Sequence, residues 1–120
     1  MWIFTNRAFL SIVKHSDKPN VLLVRSRFPN HIQTIFPNAH VTENVGTDYR
    51  YRAELNPEEV SKAIAKMILN IDYPNFKGSL DMNDEDYLNC CLDVYIAVAK
   101  NSVDWDLNQF QYLREEPNER

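Results

Sequence analysis

Asp48-Tyr49-Arg50-Tyr51-Arg52-Ala53-Glu54-Leu55 alternates at every position. Tyr49, Tyr51, Ala53 and Leu55 fall on one side; Arg50, Arg52 and Glu54 fall on the other. Aromatic and apolar residues at period two mark a strand with one buried face and one wet face. The tyrosine side is expected to face the core, so both guanidinium groups leave the opposite face. Val21-Leu22-Leu23-Val24-Arg25-Ser26-Arg27-Phe28 repeats the device, with Arg25 and Arg27 sharing a parity. Two such strands in one sheet would collect four arginines on one face.

Phe9-Leu10-Ser11-Ile12-Val13-Lys14-His15 reads as a further strand, rich in large and β-branched residues. Ser16-Asp17-Lys18-Pro19-Asn20 carries turn chemistry, so this strand and Val21–Phe28 are expected to form an antiparallel hairpin. If Phe9, Ser11, Val13 and His15 share the arginine face, His15 stands at one end of it. Pro29-Asn30 ends the second strand. His31-Ile32-Gln33-Thr34-Ile35-Phe36 has helical spacing of Ile32, Ile35 and Phe36, closed by Pro37. A weaker strand spans Ala39 to Val45, and Gly46-Thr47-Asp48 turns the chain into the opening stretch.

Asn56-Pro57-Glu58-Glu59 is a helix start, with Asn at the cap, Pro in the first position and Glu in the third. Val60, Ala63/Ile64, Met67 and Ile68/Ile71 form its apolar stripe, and it is expected to end near Ile71–Tyr73, before Pro74. Tyr73-Pro74-Asn75-Phe76-Lys77 reads as an aromatic linker sealing the edge of the core. Lys77 is placed at its rim as one more cation. The last helix starts near Asn83 or Asp84, where Asp84, Glu85 and Asp86 suit the positive end of the helix dipole. Its stripe is Tyr87/Leu88, Cys91/Leu92, Tyr95 and Val98/Ala99, ending near Asn101. Trp105, Leu107, Phe110, Tyr112 and Leu113 suggest that the following segment docks. The expected fold is α+β: a four-stranded antiparallel sheet in the order β-β-α-β-β-α-α, with helices packed on one face. It forms one domain over residues 1–113, with a polar tail over 114–120.

Composition excludes several classes of function. With 2 glycines in 120 residues, the chain cannot build a Gly-rich phosphate loop. No run approaches the ~18–20 consecutive apolar residues of a membrane span, and the first residues lack the features of a signal peptide. A cytoplasmic protein without a membrane partner is expected. Cys90 and Cys91 are adjacent, too strained for a bridge between them and wrongly spaced for a C-x-x-C pair. Buried thiols in a reducing compartment are the simpler reading. His15, His31 and His40 are scattered, so neither a metal site nor a cofactor is expected. The acidic run at 81–86 lacks the glycine and terminal Glu of a calcium loop.

The net charge of -4 hides a division. Residues 1–56 carry 7 Lys+Arg against 4 Asp+Glu, and residues 57–120 carry 6 against 13. A basic sheet surface and an acidic helical surface follow.

The segments Trp2-Ile3-Phe4-Thr5, Asp48-Tyr49-Arg50-Tyr51-Arg52 and Ile71-Asp72-Tyr73-Pro74-Asn75-Phe76-Lys77 carry a resemblance. The chain resembles a group of small prokaryotic and phage proteins with similar W-I-F-T, D-Y-x-Y-R and I-D-Y-x-N-F-K segments in the same order. The likeness covers roughly residues 1–100. It implies one compact domain and brings no activity with it.

Four guanidinium groups on one face suit an anionic partner, because each fork can hold two oxygens. The expected function is therefore a non-enzymatic binding module with Arg25, Arg27, Arg50, Arg52, His15 and Lys77 as its partner-binding residues. A protein partner or a second copy of the chain ranks first, and nucleic-acid phosphate second. Glu43 and Glu54 are the residues that could instead neutralise the face by cross-strand pairing. The alternative is a small metal-independent phosphodiester hydrolase with His15 as base. A binding role is favoured over an enzymatic one.

Overall fold

Phe9 has a backbone problem whose solution shapes the first unit of the protein. A computed structural model describes residues 1–102, and contacts divide the chain into two compact units, Met1–Ile71 and Asp72–Arg120. In the first unit the strands are β1 (Trp2–Phe4), β2 (Phe9–Lys14), β3 (Leu22–Ser26), β4 (Thr42–Glu43) and β5 (Tyr51–Leu55). They form an antiparallel sheet in the order β1-β2-β3-β5-β4. β3 bends away after Ser26, so it offers no ladder partner at Phe9. The Phe9 N–H instead donates to Nδ1 of buried His31, at 3.0 Å, and the Ser26 hydroxyl donates to the Phe9 carbonyl, also at 3.0 Å. Two polar residues in an apolar core are thus explained by one pair of orphaned backbone groups.

One face of the sheet is the core. Leu10, Ile12, Val24, Ala53 and Leu55 are buried there with Ile32, Ile35 and Phe36 from α1 (His31–Ile35) and the residue after it. Val60 of α2 (Pro57–Leu69) closes the cluster, and Ala63, Ile64 and Met67 pack against it. Asn56 caps α2 as its sequence demands: its side chain accepts from the Glu59 N–H at 2.8 Å. The stripe along α2 is covered only through Met67, however. Ile68, Leu69 and Ile71 are exposed.

The α+β antiparallel architecture expected from the sequence is present, with one strand more. Among the described residues there are five strands rather than four, the additional one being Trp2–Phe4. Three residues are too short for periodicity to reveal. The expected strand over 39–45 shrinks to Thr42–Glu43, and the opening stretch is a strand only from Tyr51. The hairpin turn between β2 and β3 is closed by Asn20 in the left-handed region, φ 58, which Asn tolerates better than most residues.

In the second unit a 3₁₀ turn (Lys77–Ser79) leads to α3 (Glu85–Lys100), whose Asp84 cap accepts from the Tyr87 N–H. Tyr87, Cys91 and Ala99 are buried, whereas Tyr95 and Val98, assigned to the same stripe, are exposed. The helix spacing was therefore legible, but not which part of the stripe is covered. Asn75 and Lys77 are buried, and the Lys77 ammonium lies 5.5 Å from the Tyr95 ring centre. The expected docking of residues 105–113 and the polar tail 114–120 lie outside the described residues.

Burial is the main reason that the thiols are hard to ionise. It raises the pKa of Cys90, helped by Asp93, and that of Cys91. Alkylation at neutral pH should accordingly be slow at both, with partly exposed Cys90 modified before buried Cys91. Peptide mapping after timed labelling reads this order; first modification at Cys91 would contradict it.

Candidate functional site

The opposite face of the sheet is set by register. Trp2 pairs with Ser11, Ser11 with Arg25, Arg25 with Arg52 and Arg52 with Thr42, making one row across all five described strands. Arg27 and Arg50 lie one residue beyond the paired segments of β3 and β5, with the same parity as Arg25 and Arg52. Parity thus brings the four arginines toward one region. Their partners then separate them.

Arg25 is largely built in. Its Nη2 donates to the Ser11 hydroxyl at 2.8 Å, and its guanidinium lies 4.4 Å from the centre of the Tyr49 ring. Its Nε–H is buried and meets no acceptor among the described residues. Arg52 donates through Nε to the Tyr49 carbonyl at 3.2 Å. Arg50 is paired with Glu43, Nε to Oε2 at 2.8 Å and Nη2 to Oε2 at 2.7 Å, and that hydrogen bond raises its pKa. Among the described residues, the exposed Arg27 side chain makes no hydrogen bond or ion pair. Exposed Arg7, in the turn between β1 and β2, is the same.

Tyr49 corrects the sequence reading most sharply. Expected inside, it instead covers the arginine face: its ring lies on Arg25 and its hydroxyl accepts from Trp2 Nε1–H at 3.0 Å. The reason is local. Residues 47–50 bend before the strand begins, held by Thr47, whose hydroxyl donates to the Tyr49 carbonyl at 2.8 Å. Alternation predicts sides only where the backbone is extended. Beside this cover, Phe4 stacks on Phe9 at 4.3 Å and Trp2 meets Phe9 edge-on at 6.2 Å. Trp2 and Tyr49 were missed as surface residues, and Asp48 with Thr47 was the available signal that turn chemistry continues.

His15 does stand on this face, at the far end, and its ring is tied to the turn that follows it. Nδ1 accepts from the backbone N–H groups of Asp17 and Lys18, both at 3.0 Å. A nitrogen accepting those bonds holds no proton, so the geometry assigns the proton to Nε2, 3.3 Å from Glu54. His15, Asp17, His40, Thr42, Arg52 and Glu54 line an open depression of about 570 Å³. Among the described residues, no three His, Cys, Asp or Glu side chains are grouped to hold a metal ion.

Glu54 pairs with Lys18 at 2.7 Å and with His15, not with an arginine. The expected cross-strand neutralisation is therefore seen for Glu43 alone. The Lys18 hydrogen bond holds the Glu54 carboxyl below its ordinary value of 4.5, with desolvation opposing and His15 assisting. A depressed carboxyl stabilises the fold above its ordinary value, and the contribution is lost as pH falls through the depressed one. Glu54→Gln should flatten the acid limb of the melting temperature against pH below about 4.5. An unchanged limb would show that the pair is too well solvated to matter.

Lys77 belongs to the second unit, buried against Tyr95, rather than standing free at a rim. No helix among the described residues is long and apolar enough to cross a membrane. Comparison of the chain with protein-family models, curated proteins and solved structures finds no match.

Proposed function

We propose that the chain is a cytoplasmic, non-enzymatic binding module that takes an anionic partner on the outer face of its sheet, at the end bearing Arg7 and Arg27. The observation that carries the reading is that Arg27 is exposed and has no partner among the described residues, beside three arginines already engaged. A cation without an internal partner costs the fold little to offer to an external one. Arg25 and Arg52 instead hold the face in shape, so substituting them would test folding and binding together. The hydrolase alternative gains nothing from His15, whose Nδ1 lone pair is occupied by two turn amides. A general base needs that lone pair free.

The test is charge reversal at both free arginines, Arg7→Glu with Arg27→Glu. Capture of partners from native lysate, with and without nuclease treatment, should fall at least tenfold relative to the parent chain. The melting temperature should move little, since exposed substitutions of this kind stay within roughly 0.5 kcal/mol. Retained capture would overturn the assignment of the face.

A further inference from the structure

We infer that the anionic partner is single-stranded nucleic acid, with a base on Trp2 and neighbouring phosphates on Arg7 and Arg27. This rests on the proposal that the outer sheet face is the binding surface.

The argument begins with Trp2, which is 68% exposed although its ring is held on two sides. Nε1–H is fixed to the Tyr49 hydroxyl and the ring meets Phe9 edge-on. An indole pinned in this way loses little conformational freedom when a flat ligand settles on it. The nearby cations come at known places. Trp2 shares a row with Ser11 and Arg25, and β1 and β3 flank β2, so the roots of Trp2 and Arg25 are about 10 Å apart at ordinary strand spacing. Arg27 lies two residues along from Arg25, toward the β1–β2 turn that carries Arg7.

The site thus offers an aromatic plane and two guanidinium groups, unpaired among the described residues, within reach of one short chain. An acidic protein surface would satisfy the arginines, but it need not set a flat group beside its carboxylates, and those carboxylates offer nothing to the indole. A nucleotide carries both a phosphate and a π-face, and the two contacts act together on single strands. The base must be unpaired to stack on the indole, which excludes a duplex interior. Because every base has a π-face, the contact carries little sequence preference.

The experiment uses the full chain. An end-labelled oligothymidylate of about twelve nucleotides is titrated and followed by anisotropy. An unlabelled one is followed by tryptophan fluorescence, and labelled poly-glutamate serves as the acidic-polypeptide control. The expected result is oligonucleotide binding with quenching that disappears in Trp2→Phe, since the remaining tryptophan is Trp105. Trp2→Ala should weaken binding about tenfold, within the range for loss of one stacked base. Arg7→Ala with Arg27→Ala should lower the slope of log K against log salt by about 1.4, two single-strand phosphate contacts. Quenching that persists in Trp2→Phe, or a slope unchanged by the double substitution, would overturn the inference. Binding of poly-glutamate but not of the oligonucleotide would overturn it while leaving the anionic-partner reading standing. Binding of neither would bring down both.

Discussion

His31→Ala should destabilise the first unit by about 3 kcal/mol. Two losses add. The Phe9 N–H loses its acceptor in a buried site, which costs about 1–3 kcal/mol. The ring, stacked at 4.7 Å on Phe28, leaves a cavity behind, with a further cost in the same range. Urea unfolding measures the sum, and His31→Gln separates its parts. A glutamine oxygen that reaches the Phe9 N–H should recover the hydrogen-bond share while leaving the packing loss. If His31→Ala costs under about 1 kcal/mol, water or a shifted β3 satisfies Phe9, and the account of this histidine fails.

Leu10→Ala should cost about 3 kcal/mol, whereas Leu23→Ala should cost under about 1 kcal/mol. Both are strand leucines in the central hairpin. Leu10 is fully buried in the core cluster, and Leu23, opposite Glu54, lies partly exposed on the outer face. The contrast tests the assignment of faces rather than hydrophobicity in general. Equal costs would mean that the outer face is as well packed as the inner one. That result would weaken the case for a binding surface there.

Much of this was legible in the residues. The alternation in 21–28 sets Leu22, Val24, Ser26 and Phe28 against Arg25 and Arg27, and within the strand, which ends at Ser26, the first three face inward, because a sheet with one apolar face leaves no other solution. Asn56-Pro57-Glu58-Glu59 announced α2 to the residue, because capping is a local hydrogen-bond requirement. The alternation in 9–15 left both sets open, and the pairing of Ser11 with Arg25 turns Ser11 and His15 outward. What failed did so for two different reasons, one local and one not. Tyr49 obeyed a bend rather than the alternation around it. β1 became visible only as a partner for β2, since a three-residue strand has no signal apart from its ladder.

The sequence by itself determined the alternation of faces, the helix starts and the concentration of positive charge in the first half, all of which depend on residues near one another in the chain. Tertiary structure decided which charges are free. Arg25, Arg27, Arg50 and Arg52 look equivalent in the text of the chain. In the fold, Ser11 and Tyr49 engage the first, Glu43 the third and the Tyr49 carbonyl the fourth. A guanidinium group takes its chemistry from whatever lies within hydrogen-bond reach, and most of those partners come from other strands and turns of the chain. Of these four, Arg27 alone has no partner among the described residues, with Trp2 two strands away from β3.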